Sequence, residues 1–234
     1  MKNIAVILAG GIGARVGGST PKQLLPLSDG RSVLEHAVAA FEQADCIDDI
    51  CIVMHPDYIA TAEQFLLKNS WQKVSHIIPG GKERWESSVN AIRLYQNLLS
   101  AEEFAVSNIL LHDAARPFVS QTVIADVCHA LQTCEAITVA VPAIDTMYVV
   151  EDRQDSAEGK RVQSIPPRRT LMRAQTPQAF RLPLIAEAYD IALRHSDLQP
   201  TDDCGVVHTY LPTTPIRIVP GEEQNRKITY KEDL

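Results

Sequence analysis

The chain has 234 residues, of which 45% are hydrophobic, and a formal net charge of −7 at pH 7. That length can bury the core of one large domain, and the charge excludes a generally basic surface for nucleic acid or anionic lipid. Five scattered cysteines form no CxxC pair, which is typical of reduced thiols inside the cell. The first apolar run, residues 4–9, is too short for a signal peptide or a membrane helix. We therefore expect a soluble, cytoplasmic protein that binds neither nucleic acid nor membranes.

Buried strands and amphipathic helices alternate over residues 1–143. Segments of helical period separate five runs that are rich in Val, Ile and Leu. Such strands are covered on both faces, as in a parallel sheet with helical crossovers. The pattern predicts an α/β fold with a doubly wound, mostly parallel, Rossmann-like sheet. The runs that predict its strands are residues 4–10, 49–55, 74–80, 108–114 and 136–143.

The pattern changes after residue 143. Residues 145–169 are polar, but "TMYVV" and "RVQSI" alternate on either side of "DSAEGK", which favours a β-hairpin arm that leaves the core. A disordered surface loop is the alternative, and the charge content favours it slightly. A helix at "LPLIAEAYDIALR", a short helix near "TDDCGVVHTYL" and a last strand at "PIRIVPG" complete the chain. We expect a single domain over residues 1–234, with the arm inside it.

Three loops with unusual residues follow predicted strands. They read "AGGIGAR", "PGGKER" and "HDAARP", and they come after the first, third and fourth strands. In open α/β sheets, ligands bind beyond the carboxyl ends of the strands, so the three loops are expected to face one site. Glycines let the first loop approach a ligand closely, and its cations Arg15 and Lys22 suit phosphates.

The first loop fits neither of the two common phosphate-binding patterns. The dinucleotide fingerprint requires a third glycine where this chain has Val16, and the Walker loop requires a lysine where it has Ser19. What remains is G-G-x-G-x-R, followed by P-K-Q at residues 21–23. This pattern resembles the signature of nucleotidyltransferases, which hold a nucleoside triphosphate.

Five further segments occur in the order seen in one family: "GGKERWESSV", "HDAARPFV", "AQTPQAF", "TDD" and "NRKITYKEDL". Together with "DTM" in the arm, they resemble the CTP-dependent cytidylyltransferases of sugar-alcohol phosphates. That family includes 2-C-methyl-D-erythritol 4-phosphate cytidylyltransferase and D-ribitol-5-phosphate cytidylyltransferase. The resemblance covers essentially the whole chain, and it implies an enzyme of the nucleotidyltransferase fold that requires Mg²⁺.

The resemblance also implies a role for particular residues. Arg15, Lys22 and Lys227 would stabilise the reacting phosphates, and Asp113 would lie beside both the Mg²⁺ and the acceptor. The residues implied to bind CTP are Leu8, Ala9, Gly10, Gly11, Gly13, Gly80, Gly81, Ser87 and Ala114. Those implied to bind the acceptor are Asp113, Arg116, Thr146, Arg168 and Thr176. In the family the arm is exchanged between two subunits, which implies a homodimer.

Each residue taken alone also has a purely structural interpretation. Asp113 can cap the turn that follows it, and His112 is typical of a buried structural histidine. Asp202 and Asp203 suit the N-cap and the first turn of a helix. Ser87 lies at a helix start, where serine needs no function, and "IPPRR" suits an exposed turn.

Several functional alternatives stay open at this point. Hexose-1-phosphate uridylyltransferases and CMP-sugar synthetases share the opening loop, but "HDAARP" and "QTPQAF" argue against them. A non-catalytic nucleotide-binding domain on the same fold is the other alternative, and the presence of Arg15, Lys22 and Asp113 favours an enzyme instead. Two acceptors also stay open. "HDAARP" and "DTM" resemble the methylerythritol-phosphate branch, whereas "LAGG", "SIPPRRTLMRAQTPQAF" and "TDDCGVVHTYLP" resemble the ribitol-phosphate branch. We slightly favour D-ribitol 5-phosphate, a precursor of cell-surface polymers, over the isoprenoid precursor.

Overall fold

A seven-stranded sheet forms the centre of the computed structural model, which describes residues 1–11, 20–151, 160–196 and 198–233. Seven of the strands found in these ranges run in the order β3-β2-β1-β4-β8-β5-β9, and β6 and β7 form a separate pair. The strands are β1 (Asn3–Ala9), β2 (Asp49–Met54), β3 (Val74–Pro79), β4 (Asn108–Asp113), β5 (Ala136–Pro142), β6 (Val149–Val150), β7 (Val162–Ser164), β8 (Met172–Arg181) and β9 (Ile216–Pro220).

Seven α-helices connect or flank the strands in the described ranges. No helix among them is both long and apolar enough to span a bilayer. The short α4, which follows α3 directly, was not predicted from the sequence. The helices are α1 (Val33–Glu42), α2 (Ile59–Asn69), α3 (Arg84–Leu98), α4 (Ala101–Val106), α5 (Gln121–Ala130), α6 (Leu182–Ala192) and α7 (Asp203–Tyr210).

The helices pack on both faces of the sheet, as the unbroken apolar strands predicted. Successive side chains of a strand point to opposite faces of the sheet, so each central strand contributes side chains to the hydrophobic core on either face. On β1, Ile7 packs into the core that includes α1, α2 and α5, whereas Val6 packs into the core that includes α3, α6 and α7. The doubly wound arrangement is therefore confirmed.

One central strand, β8, was missed by the sequence analysis. It runs antiparallel between β4 and β5, so the sheet is mixed although most of its pairs are parallel. Its sequence, "MRAQTPQAFR", is polar and contains Pro177, and proline normally argues against a central strand because it has no N–H to donate. The pairing with β5 passes from Gln178 directly to Gln175 across a bulge, so Pro177 needs no ladder partner there.

The predicted arm forms an antiparallel pair that is separate from the main sheet. In it, Val149 faces Ser164 and Val150 faces Val162. The prediction of a β-hairpin is therefore confirmed, in preference to the alternative of a disordered surface loop. Most of the tip segment "DSAEGK" lies outside the described residues. Several apolar side chains of the arm are more than half exposed, among them Met147, Tyr148 and Ile165. The arm thus presents apolar surface to its surroundings.

Candidate active site

The carboxyl ends of β1, β3 and β4 meet at one cavity of about 260 Å³. This is the edge at which the three unusual loops were expected to converge, because parallel strands end on the same side of a sheet. Of the residues predicted to bind CTP or stabilise its phosphates, Gly80 lies beside this cavity in a neighbouring groove. Those that line it are Leu8, Ala9, Gly10, Gly11, Lys22, Gly81, Ser87, Ala114 and Lys227.

Two predicted residues of the glycine-rich loop lie outside the described part of the chain. They are Gly13 and Arg15, which fall between residues 12 and 19. Their roles at the triphosphate stay predictions.

The first and third loops approach each other closely at Ser87. A Cβ placed on Gly10 would lie 3.0 Å from the Ser87 hydroxyl oxygen, and one on Gly80 would lie 2.9 Å from the same atom. The buried hydroxyl accepts a hydrogen bond from the Gly81 N–H at 3.1 Å. Glycine is therefore needed at both positions for the loops to meet. Ser87 has a definite task here, since it holds the backbone that borders the cavity.

Two neighbouring side chains hold the first loop to the rest of the site. The Lys22 ammonium donates to the Ile228 carbonyl at 2.7 Å, which joins the loop region to the C-terminal segment. The buried Gln23 amide donates to the carbonyls of Ala9 and Gly11, at 2.6 and 2.7 Å. The P-K-Q pattern of residues 21–23 does not by itself indicate a role for Gln23. Its amide ties the end of β1 and the start of the glycine loop to the segment that carries Lys22.

The carboxylate of Asp113 lies between two cations at the end of β4. Its Oδ1 accepts from Arg84 Nε at 2.8 Å, and its Oδ2 accepts from Lys227 Nζ at 2.7 Å. Burial by itself would raise the pKa of Asp113, but the charges of Arg84 and Lys227 outweigh burial and hold that pKa well below its usual range. The group is thus ionised, and its side chain binds cations instead of capping the next turn.

Arg84 is a residue that the sequence analysis did not single out. It lies in the first turn of α3, within "GGKERWESSV", and its Nη1 donates to the buried carboxylate of Asp203 at 2.6 Å. Burial would lower the pKa of Arg84, but the charges of Asp203 and Asp113 outweigh burial and raise it. The neighbouring Asp202 caps α7 by accepting from the Gly205 N–H at 2.7 Å, as predicted.

His112 is a buried structural histidine, as predicted. One ring nitrogen, Nε2, lies 3.0 Å from the Arg116 carbonyl, which can only accept, so Nε2 carries the proton. Nδ1 then accepts from the Thr176 hydroxyl, also at 3.0 Å. Burial lowers the pKa of His112 to about 4, which keeps the ring neutral near pH 7. The histidine thereby orients Thr176, whose oxygen accepts from the Asp113 N–H at 3.1 Å.

A second, smaller cavity of about 180 Å³ adjoins the first. Arg84, Asp113 and Lys227 line both cavities. Arg116 and Thr176, which were predicted to bind the acceptor, line the smaller one. The Arg116 guanidinium donates to the carbonyls of Asn225 and Ala174, and burial lowers its pKa. The fold therefore brings three of the five predicted acceptor residues to one place.

The other two predicted acceptor residues, Thr146 and Arg168, lie on the arm and its base. Both are exposed, and neither lines one of the two cavities in this chain. Arg168 donates from Nη1 to the Ile144 carbonyl at 2.8 Å. In the described part of one chain, then, neither Thr146 nor Arg168 lines a cavity beside Asp113.

The described residues offer Mg²⁺ little direct coordination. Within residues 1–11, 20–151, 160–196 and 198–233, no group of three or more His, Cys, Asp or Glu side chains is placed to hold a metal. Asp113, the predicted ligand, has a cation on each oxygen. Mg²⁺ is commonly bound by one or two carboxylates together with substrate phosphates, and among the described residues Asp113 is the carboxylate predicted for that position.

Comparison with known proteins gives concordant results. The family described as 2-C-methyl-D-erythritol 4-phosphate cytidylyltransferase matches residues 3–234. A protein of that name from Thermobifida fusca is 43% identical over 231 residues, covering 98% of this chain and 89% of the relative. A Haemophilus influenzae protein named bifunctional ribulose 5-phosphate reductase/CDP-ribitol pyrophosphorylase is 37% identical over 233 residues, covering 100% of this chain and 47% of the relative.

Solved structures agree with these sequence matches. The crystal structure of 4-diphosphocytidyl-2C-methyl-D-erythritol synthase from Anaerococcus prevotii aligns with a TM-score of 0.80 at 26% identity, covering 99% of this chain and 92% of that one. A Francisella tularensis 2-C-methyl-D-erythritol 4-phosphate cytidylyltransferase aligns with a TM-score of 0.76 at 25% identity, covering 100% of this chain and 96% of that one.

Proposed function

This chain belongs to the 2-C-methyl-D-erythritol 4-phosphate cytidylyltransferase family, and on that premise we propose that it transfers CMP from CTP to 2-C-methyl-D-erythritol 4-phosphate. In this reaction an oxygen of the acceptor phosphate forms a bond to the α-phosphorus of CTP. The bond between that phosphorus and the bridging oxygen to the β-phosphate breaks, and pyrophosphate leaves. The product is a CDP-alcohol.

The observation that carries this proposal is the pair of adjoining cavities that share Asp113 and Lys227. The larger cavity, with its glycine loops and Lys22, suits the nucleoside triphosphate. The smaller cavity, with Arg116 and Thr176, suits a short polyol phosphate. A triphosphate in one and a phosphate ester in the other would meet beside the Lys227 ammonium. This is the juxtaposition that nucleotidyl transfer needs.

Transfer of CMP to a phosphate requires cations near the reacting phosphates more than it requires a general base. The acceptor phosphate has a second pKa of about 6, so its attacking oxygen is already anionic near neutral pH. The obstacle is repulsion between two polyanions and the negative charge that develops on pyrophosphate. Lys22 and Lys227 offset that charge. Asp113 is unsuited to act as a base because its pKa is low and both its oxygens accept from cations.

We include Mg²⁺ as part of this proposal. The triphosphate oxygens would provide most of its ligands, since Asp113 is already engaged by Arg84 and Lys227. When bound, the ion would neutralise phosphate charge and favour the departure of pyrophosphate. Asp113 contributes through its cations in this arrangement, and the earlier expectation of a direct Asp113 ligand stays a prediction.

The choice of acceptor departs from the preference that the sequence motifs suggested. Relatives named for 2-C-methyl-D-erythritol 4-phosphate are 43% and 40% identical to this chain, whereas the relative named as a CDP-ribitol pyrophosphorylase is 37% identical. The "LAGG" and "TDDCGVVHTYLP" segments had favoured D-ribitol 5-phosphate. The comparisons support the erythritol acceptor better, and D-ribitol 5-phosphate becomes the second candidate.

Turnover of the purified protein with CTP and each acceptor tests this choice. We expect pyrophosphate release with 2-C-methyl-D-erythritol 4-phosphate at a kcat/KM at least about tenfold above that with D-ribitol 5-phosphate. UTP in place of CTP, and chelator in place of Mg²⁺, serve as controls and should abolish most turnover. A higher kcat/KM with D-ribitol 5-phosphate would reverse the assignment. Equal rates with UTP would refute the preference for CTP, and full activity in excess chelator would refute the requirement for Mg²⁺.

We further propose that the chain forms a homodimer in which each arm reaches the partner's site. The support is the exposed apolar surface of the arm together with the separation of Thr146 and Arg168 from the cavities of their own chain. An isolated two-stranded hairpin is marginal in water, so a partner surface would stabilise it. Light scattering at micromolar concentration should give twice the monomer mass.

Subunit mixing tests the exchange of arms directly. Arg168→Ala should raise KM for the acceptor about tenfold or more, because it removes a charged hydrogen-bond donor, and should leave CTP affinity nearly unchanged. When Arg168→Ala and Lys227→Ala chains are co-expressed, half of the dimers are mixed and each mixed dimer has one intact site. At acceptor concentrations well below KM, where Arg168→Ala homodimers turn over slowly, activity should then recover to about a quarter of the wild-type value.

The neighbouring Arg169 provides the matched control for this experiment. Arg169→Ala should change KM for the acceptor little, since the family resemblance assigns the binding position to Arg168. Arg168→Lys should restore only part of the affinity, because an ammonium cannot form two parallel hydrogen bonds to a phosphate. The absence of recovery in mixed dimers would mean that each arm serves its own chain or no site. A fully active monomer would contradict the dimer.

A further inference from the structure

We propose that Asp203 in the first turn of α7 is a positioning residue for cytidylyl transfer, acting through Arg84 and Asp113 on the ammonium of Lys227. The inference rests on the proposed function, because it concerns how that reaction is accelerated. From the sequence, Asp203 was interpreted only as an acidic residue in the first turn of a helix. Its contacts point to a different task.

A continuous chain of hydrogen bonds joins Asp203 to the cavity. Tyr189 OH donates to Asp203 Oδ1 at 2.6 Å, and Arg84 Nη1 donates to Asp203 Oδ2 at 2.6 Å. Arg84 Nε then donates to Asp113 Oδ1 at 2.8 Å, and Lys227 Nζ donates to Asp113 Oδ2 at 2.7 Å. The charges alternate along the chain from Asp203 to Lys227. Each group is therefore held by an opposite charge on either side, except at the two ends.

The inner end of this chain is buried and the outer end is open to the cavity. The Asp203 side chain is 0% exposed and Lys227 is 38% exposed, while Arg84 and Asp113 between them are 27% and 11% exposed. Water can replace a lost partner at the outer end but not at the inner end, where a buried charge needs its ion pair. The arrangement is thus anchored from the inside, and Lys227 is the end that faces substrate.

The backbone that carries Asp203 is itself well fixed. The buried side chain of Gln178, on the central strand β8, accepts from the N–H groups of Asp203 and Cys204, at 3.0 and 3.2 Å. The helix cap is supplied by Asp202. The Asp203 carboxylate is therefore not needed to cap α7, and it is turned towards Arg84. Groups that orient a reacting side chain work best from such rigid elements.

Removing the negative charge of Asp203 should change the positions of Arg84 and Lys227. With both Asp203 and Asp113 charged, the Arg84 guanidinium is attracted from two sides. Without the charge on Asp203, Arg84 is drawn towards Asp113 alone and competes with Lys227 for that carboxylate. The Lys227 ammonium then loses its defined position at the junction of the cavities. A misplacement of about 1 Å in a catalytic group lowers rates by up to about 100-fold.

Asp203→Asn is the variant that tests the proposal. It keeps the shape of the side chain and an oxygen for Tyr189, and Arg84 stays paired with Asp113, so the protein should fold. We expect kcat per folded protein to fall about tenfold or more, while KM for CTP changes less than about twofold. Should this variant not fold, Tyr189→Phe removes one bond to Asp203 and should lower kcat about threefold with the same pattern in KM.

A matched control removes a buried charge at a remote site. Glu35 is 2% exposed and accepts from Lys68 at 3.0 Å, on helices that do not line either cavity. Both Glu35→Gln and Asp203→Asn should lower the thermal midpoint, because each removes a buried charge from an ion pair, but Glu35→Gln should leave kcat per folded protein unchanged. If both variants leave kcat unchanged, Asp203 only stabilises the fold and the proposal is overturned.

The dependence on Lys227 provides a second, sharper measurement. If Asp203 acts through Lys227, Asp203→Asn should have little further effect in a Lys227→Ala background, yet keep its full effect in a Lys22→Ala background. Equal factors in both backgrounds would overturn the proposal. The test is distinct from that of the function itself: an inactive wild type with CTP and every acceptor refutes the reaction, whereas an active wild type with additive variants refutes only the role of Asp203.

Discussion

Lys227→Ala should lower kcat about 100- to 1000-fold, the effect typical of removing one preorganised donor from a site where negative charge develops. The ammonium lies where the two cavities meet, 2.7 Å from Asp113 Oδ2. Its loss removes a positive charge next to the reacting phosphates and leaves the Asp113 carboxylate facing them with one cation fewer. Both changes raise the energy of the transition state. Steady-state pyrophosphate release, with CTP binding measured by calorimetry, separates the effect on kcat from that on affinity.

The adjacent Arg226 provides the control for Lys227. Its guanidinium lies 3.6 Å from Asp233, is more than half exposed and does not line either cavity. Arg226→Ala should therefore leave kcat within about twofold, because exposed ion pairs contribute little. If the two variants lose activity equally, the C-terminal segment acts as a structural unit and Lys227 has no special role. A Lys227→Ala enzyme with normal kcat would rule out its action on the reacting phosphate.

Lys22→Ala should lower kcat/KM for CTP at least about 100-fold. Lys22 lines the larger cavity beside the glycine loop, and its ammonium also donates to the Ile228 carbonyl at 2.7 Å. The substitution thus removes a charge that faces the triphosphate and loosens the contact between the loop region and the C-terminal segment. We expect KM for CTP to rise and kcat to fall, while KM for the acceptor changes much less.

Lys73 offers a matched control for Lys22. Its ammonium also donates to a backbone carbonyl at 2.7 Å, that of Ala44, but far from either cavity. Lys73→Ala should lower stability modestly and leave kcat/KM for CTP unchanged. If Lys22→Ala behaves in the same way, the bond to Ile228 is all that Lys22 contributes. If Lys22→Ala changes only KM for the acceptor, Lys22 binds the acceptor and not the triphosphate of CTP.

The sequence by itself determined much of the architecture and the place of the site. Unbroken apolar strands and amphipathic helices predict a sheet covered on both faces, because burial on both sides demands apolar residues throughout. The parallel direction of those strands then brings the loops at Gly10, Gly81 and Asp113 to one edge. The order of the motifs also identified the family, which the comparisons confirm. These conclusions depend on local pattern and chain order, which are written directly in the sequence.

The tertiary structure decided what single residues do. Strand β8 escaped detection because its pairing is sustained across a bulge at Pro177, whose cost no local pattern reveals. Asp113 suited a turn cap by residue type, and only the arrival of Arg84 and Lys227 from distant parts of the chain makes it the ion-pair centre of the site. By residue type and position, Asp203 likewise suited the first turn of a helix, and only the structure shows that it is buried and paired with Arg84. Charge partners separated by about 30 to 120 positions are set by packing, and electrostatic roles depend on that packing because burial strengthens every such contact.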